Sequence, residues 1–291
     1  MERFETVPRE LEEVFAEAER HVLSHHVSLG DSPGDSGIIS PAPIGSGTFV
    51  KFCFQENSIA YGILTAAHVV KPLKFGKNDN REFLGLSKLQ NGDTIACSVT
   101  FPFIFCIASK EHFDSLSTDG YRPDIAFIAL GINGHLPNHE LVLDSFFYDL
   151  DCNQEQEIAD QQVFSTFYKG AGNIRADGLI NTYAAFGGGE ILKFDQVARV
   201  QYWRVPNTSG ESIGGGSGAG FWRCKYENGV LQKSLEGVVI AEGENYDYFE
   251  ALAPSYLYDD FLPQLKRFCI DNLSWFPDPN MLLSRRFSCD K

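Results

Sequence analysis

Two rhythms of apolar residues divide the chain. From Pro8 to about Ser24, Leu11, Val14, Phe15, Ala18 and Val22 recur every three or four residues, with Glu12, Glu13, Glu17 and Arg20 on the opposite side. This period predicts an amphipathic helix whose stripe must dock, either on the chain's own body or on a partner. Residues 24–37 are dense in Ser, Gly, Asp and Pro, carry no apolar period, and read as a linker. From Gly45 the rhythm becomes that of strands. GTFVKFCF, AYGILTAAHVV, TIACSVTFPFIFCIA and DIAFIALG are short β-branched and aromatic runs separated by turn signals. An acidic, amide-rich stretch over 136–160 interrupts them and reads as a connection between halves. Strands resume with QQVFSTFY, GLINTYAAF and ARVQYWRV, pass a glycine-rich run ending at Gly220, and continue through LEGVVIAEG. A last helical period covers roughly Pro254 to Asn272. The predicted class is all-β with a helix at each end, divided 1–40 (helix and linker), 41–135, 136–160, 161–253 and 254–291 (helix and tail).

Charge and cysteines narrow the classes of partner. The chain has 24 Lys and Arg against 39 Asp and Glu, a formal net charge of −15 over 291 residues. A polyanion such as nucleic acid therefore meets no surface-wide basic field. The first twenty residues are charged throughout and lack the apolar run of an export signal, and no segment approaches the roughly 18 apolar residues of a membrane span. Cys53, Cys97, Cys106, Cys152, Cys224, Cys269 and Cys289 are odd in number and scattered, with no zinc-site spacing. Free thiols in a reducing cytoplasm are the expectation, with no metal or cofactor and no membrane partner.

Three segments carry chemistry. Ile63-Leu64-Thr65-Ala66-Ala67-His68-Val69-Val70 ends an apolar strand in a small-residue turn bearing a histidine. Asp124 opens the apolar run Ile125 to Leu130. Gly215-Gly216-Ser217-Gly218-Ala219-Gly220 places a serine among glycines. Each alone has an ordinary explanation: a turn histidine, a capping aspartate, a flexible loop. Together, separated by 56 and 93 residues, they supply the three side-chain types that an activated serine needs. A serine hydroxyl is a weak nucleophile until an imidazole takes its proton, and a carboxylate must hold that imidazole in the right tautomer. Backbone N–H groups beside the serine can then stabilise the oxyanion.

In these segments the chain resembles the chymotrypsin-like serine proteases, including trypsin and the disulfide-free bacterial members, over roughly Gly45 to Asn272. The resemblance implies a double antiparallel β-barrel with the site in the cleft between barrels. It assigns His68 as general base, Asp124 as its orienting carboxylate and Ser217 as nucleophile, with the N–H groups of Gly215 and Ser217 as oxyanion donors. The implied activity is endopeptidase cleavage of protein substrates through an acyl-enzyme. Stand-alone bacterial members act as effectors that cut one partner protein, and the resemblance extends that expectation here. Gly216 stands where secreted relatives carry the aspartate of the zymogen switch, and Val69 stands where the half-cystine partner of Cys53 would be. Both departures fit a disulfide-free enzyme without that switch. Family alignment also brings Glu211, Glu242 and Glu250 to the primary pocket, implying cleavage after Arg or Lys.

The alternatives are a narrower esterase or peptide hydrolase using the same triad, and a catalytically silent protease-fold module that binds a regulatory partner through its N-terminal helix. Gly34-Asp35-Ser36-Gly37 mimics a nucleophile motif but precedes His68 and has no strand leading into it. A subtilisin-type order of Asp35, His68 and Ser217 would demand alternating strands and helices that the pattern lacks. His21 and His25 have the i, i+4 spacing of a helical metal pair without a third ligand, and read as solvated helix residues. His26, His112, His135 and His139 lie in polar loop sequence.

Overall fold

A computed structural model describes residues 9–32, 42–70, 83–90, 93–100, 103–106, 124–133, 144–152, 163–166, 173–174, 180–181, 192–193, 202–206, 215–227, 230–242, 248–273 and 283–284. The described chain is mostly antiparallel β-sheet with a helix near each end.

Helix α1 spans Arg9–His25, in agreement with the apolar period. Val14, Ala18 and Val22, four residues apart, are buried. Val14 and Ala18 pack with Cys224 and Leu231, so this part of the stripe docks on the chain's own sheet. The Leu11 and Phe15 side chains lie outside the described residues.

The first sheet contains β1 (His26–Ser32), β2 (Ala42–Gln55), β3 (Ser58–Thr65), β4 (Phe83–Gln90), β5 (Asp93–Thr100), β6 (Phe103–Cys106) and β7 (Ala126–Ile132). They pair in the order β5, β4, β1, β2, β3, β7, β6, and the two-residue β8 (Tyr148–Asp149) adds parallel to β2. A short helix α2, Ala67–Val70, follows β3 directly. β7 is buried on both faces, which explains why it reads as a continuous apolar run.

β1 corrects the sequence reading, because residues 26–32 fall within the expected linker. Val27 and Leu29 are fully buried, and the strand pairs with β2 on one side and β4 on the other. His26 is buried in this strand rather than exposed in a loop.

The second sheet is built from β9 (Val163–Thr166), β12 (Leu192–Lys193), β13 (Tyr202–Pro206), β14 (Gly220–Glu227), β15 (Val230–Glu242) and β16 (Tyr248–Leu252), in the order β12, β13, β16, β15, β14, β9. β10 (Asn173–Ile174) and β11 (Ile180–Asn181) form a separate pair. β17 (Leu283–Ser284), from the expected tail, joins the outer side of β5. Among the described residues, each sheet's pairing runs as an open path.

The expected C-terminal helix is present in two parts. A π-helical segment, Tyr256–Phe261, continues into α3, Leu262–Asp271, with Pro263 in the first turn, where a missing N–H costs no helical bond. The largest apolar cluster among the described residues spans both sheets: Phe52, Leu64 and Phe127 of the first share it with Trp222, Leu235 and Leu252 of the second and with Leu257, Phe261 and Leu265. Trp222, fully buried, is the meeting point of three elements. The His25 ring stacks on it at 5.5 Å, while His21 and Tyr148 meet it edge-on at 5.0 and 4.8 Å.

Candidate active site

The pairing of β3 with β7 explains how His68 and Asp124 meet. Thr65, the last residue of β3, sits opposite Ala126, the first of β7. His68 lies three residues past one strand end and Asp124 two residues before the other, so both leave the sheet at the same edge. Asp124 uses both carboxylate oxygens on the one residue. Oδ1 accepts the His68 backbone N–H at 2.8 Å, and Oδ2 takes a close contact from Nδ1. Nδ1 thus acts as the donor, which leaves Nε2 as the ring's acceptor. The Asp124 side chain is 18% exposed and that of His68 36%, so the carboxylate is sheltered while the ring reaches solvent.

Ser217 sits on a tight turn. Ala219 N–H donates to Gly216 O at 2.9 Å, closing a four-residue turn with Ser217 and Gly218 at its centre. Gly218 has φ +87°, the value required at the third position of a type II turn. A Cβ there would also lie 2.2 Å from both Ser46 O and Thr65 Oγ1, so glycine is demanded twice. The turn is anchored to both sheets. Gly218 N–H donates to Val239 O on β15 at 2.8 Å, and Ser46 N–H on β2 donates to Ser217 O at 2.9 Å.

The serine turn and the His68 segment have neighbours in common. A Cβ on Gly45 would lie 2.7 Å from Val69 Cγ1 and 2.9 Å from Ser217 O, and one on Gly218 would lie 3.1 Å from Ala66 N. Gly218 thus lies close to the segment just before His68, and Gly45 lies between Val69 and Ser217 O. Among the described residues, no hydrogen bond joins Ser217 Oγ to His68 Nε2.

Of the expected oxyanion donors, the Ser217 N–H belongs to the peptide whose carbonyl, Gly216 O, is held inside the turn. It is directed away from that carbonyl because a trans peptide sets C=O and N–H opposite. Gly215, at φ +87°, is half-buried. Of the expected pocket residues, Glu211 lies outside the described residues. Glu242 pairs with Phe249 and Glu250 with Ala241, in adjacent positions of the β15–β16 ladder. Adjacent cross-strand pairs face opposite sides of a sheet, so these two carboxylates do not converge from one face.

Ser46 and Thr65 escaped the sequence reading. Thr65 Oγ1 donates to Ser46 O at 2.6 Å, and Ser46 Oγ donates to Gly215 O at 2.7 Å. The one available signal was the small-residue run Gly45-Ser46-Gly47, placed where a strand must pass close to another segment.

His21 and His25 are not the solvated residues expected. His25 is buried, with Nδ1 donating to Phe146 O at 2.7 Å. His21 Nε2 is buried without a hydrogen-bond partner. Burial, with smaller contributions from His25 and Lys233, pushes the His21 pKa down to about 3. Among the described residues, no group of three or more His, Cys, Asp and Glu could hold a metal ion. Cys53 and Cys152 are exposed free thiols, and Cys224 and Cys269 are buried ones whose pKa burial raises to about 12. Asp35, Ser36, His112, His135 and His139 lie outside the described residues. No described helix is long and apolar enough to cross a membrane.

No family model and no curated protein sequence matches the chain. Among solved structures, the crystal structure of a thermostable serine protease from an extremophilic microorganism aligns over 79% of this chain and 91% of its own, at 12% identity and a TM-score of 0.42. At that score the likeness lends no weight to the site, whose reading rests on the contacts described above.

Proposed function

We propose that the chain is a trypsin-like serine endopeptidase built on two barrels and working through an acyl-enzyme. The observation that carries this reading is the two-point hold of Asp124 on His68, together with a tight serine turn whose Gly218 lies close to Thr65 and Ala66, just before that histidine. In this mechanism His68 Nε2 removes the Ser217 proton as Oγ attacks the scissile carbonyl. Asp124 keeps the ring in the Nδ1–H tautomer and stabilises the imidazolium that forms. The N–H groups of Gly215 and Ser217 bind the oxyanion. His68 then returns the proton to the leaving amine, and water, activated by the same base, releases the acyl group. Gly216 offers no carboxylate to a new amino terminus, so activation by zymogen cleavage has no counterpart here.

Free thiols support a reducing, cytoplasmic setting, and the substrate is one partner protein cut after Arg or Lys. Glu242 is the carboxylate to which that preference is assigned, since it lies on the strand that also bonds the serine turn. A regulatory partner at α1 would meet its outer face, because Val14 and Ala18 are already covered.

A second reading, the silent binding module, is favoured by the absence of a Ser217 Oγ–His68 hydrogen bond among the described residues. Catalytic hydrogen bonds often tighten only with substrate, so the enzyme reading stands ahead of it. A fluorophosphonate probe separates them. Labelling that disappears in Ser217→Ala and falls by about 10⁴ in Asp124→Asn supports the enzyme. An unlabelled wild type supports the module.

A further inference from the structure

We propose that Ser46 is a positioning residue that holds the serine turn in its oxyanion-accepting form. This rests on the serine-hydrolase reading. Gly215, Gly216 and Gly218 give the turn the freedom to adopt φ +87° at two places, and the same freedom lets its peptides rotate. A donor that must sit in place before the oxyanion forms needs an outside hold, since reorganisation at the moment of reaction would forfeit its benefit.

Ser46 supplies that hold from the opposite sheet. Its side chain donates to Gly215 O at 2.7 Å and its N–H donates to Ser217 O at 2.9 Å. These two carbonyls belong to the peptides immediately before and after the Gly216–Ser217 peptide, which carries the donor N–H. The later peptide is held at both ends, because Gly218 N–H also donates to Val239 O. The earlier one is held at its carbonyl by the Ser46 hydroxyl alone among the described residues. Removing that hydroxyl frees the 215–216 peptide and, through it, the donor.

The hold is itself braced. Ser46 is fully buried, and its own carbonyl accepts the Thr65 hydroxyl at 2.6 Å. Thr65 ends the strand that leads to His68, so two hydrogen bonds meeting at residue Ser46, one to its carbonyl and one from its hydroxyl, link the base-bearing segment through β2 to the nucleophile turn. General base and oxyanion donor are thereby fixed to a common point.

The test compares wild type with Ser46→Ala and Ser46→Cys. Ala removes the hydroxyl bond and keeps the backbone bond, while Cys refills the site with a weak donor. Three quantities are read: the rate of fluorophosphonate labelling, kcat and KM for 4-nitrophenyl acetate, and amide exchange over residues 215–219. Ser46→Ala should slow labelling and lower kcat about tenfold or more, leave KM within twofold, and speed exchange in the turn. Cys should fall between Ala and wild type. If Ala does not fold, Cys carries the same comparison. Labelling and kcat within twofold of wild type would overturn the proposal, as would a loss confined to KM. If the wild type itself does not react, the hydrolase reading fails. The exchange arm then decides the clamp separately: faster exchange keeps Ser46 as the turn's hold, and unchanged exchange removes it.

Discussion

His21 gives the docking of α1 a pH dependence whose size follows from its surroundings. The ring is pressed between Trp222, His25 and Tyr148, at centroid distances of 5.0, 4.8 and 6.2 Å, with its Nε2 buried and unpartnered. The charged side chain that acts on it besides His25 is Lys233 on β15, bound to Glu17 of α1 at 2.6 Å. Burial of His21 dominates, and its pKa falls from 6.5 to about 3. The docked helix therefore prefers the neutral ring, and protonation favours release. Docking strength is complete above pH 6.5 and declines as pH falls from there towards 3. Between pH 7 and pH 5 the loss amounts to about 2 kcal/mol. His21→Phe keeps a ring in the site and removes both the titration and the orphaned nitrogen, so the variant should be at least as stable as wild type at pH 7. Urea unfolding at both pH values measures the difference, with the remaining histidines common to both proteins. Equal losses in wild type and His21→Phe would refute the reasoning, as would a His21 ring that titrates near 6.5 by NMR.

Two other expectations follow from the same contacts. Gly218→Ala forces an L-residue to φ +87° and drives a methyl into Ser46 O and Thr65 Oγ1. It should cost at least about 2–3 kcal/mol and abolish fluorophosphonate labelling; retention of both stability and labelling would contradict the turn geometry. Denaturing thiol titration under non-reducing conditions, in extracts protected from air, should count seven cysteines. Native maleimide labelling should spare Cys224 and Cys269, and a count of five or fewer would refute the absence of disulfides.

The parts of the fold legible in the sequence are those whose burial has a period of its own. Val14, Ala18 and Val22 mark one helix face whatever they dock on, and β7 is apolar throughout because both its faces are covered. β1 carries only Val27 and Leu29 as apolar positions among Ser, Gly, Asp and His, a pattern that fits a turn-rich linker equally well. What makes it a strand is β4, whose Leu86 pairs with Leu29 from far along the chain. The histidines of α1 hid for a related reason. Their burial depends on Trp222 and Tyr148, which no local pattern connects to them. At the candidate site, the meeting of His68 and Asp124 was legible because each stands beside an apolar run, and those runs pair as β3 and β7; the Ser217 turn was legible from its glycines. Ser46 and Thr65 were not, because they act on backbone carbonyls, and a serine between glycines looks like any turn.

The pocket carboxylates show how one residue of register decides a chemical property. A regular ladder continuing from Val239 opposite Ala251 would place Ile240 opposite Glu250 and Glu242 opposite Tyr248, putting both glutamates on one face. The shift between Val239 and Ala241 inserts an extra residue, so that Ala241 meets Glu250 and Glu242 meets Phe249. Glu250 is thereby turned to the face opposite Phe249, whose ring packs in the small core with Ala219, Phe221, Val239 and Ala251 behind the serine turn. Glu242 keeps the Phe249 face. If cleavage after Arg or Lys depends on a carboxylate of this ladder, Glu242→Gln should reduce the preference for Arg over Ala in matched peptides by tenfold or more, the scale of one charge-assisted hydrogen bond. Glu250→Gln should leave the ratio within twofold. The reverse pattern would place Glu250 at the substrate and refute the register argument. Equal or better cleavage after Phe in the wild type would refute the acidic pocket while leaving the triad untouched.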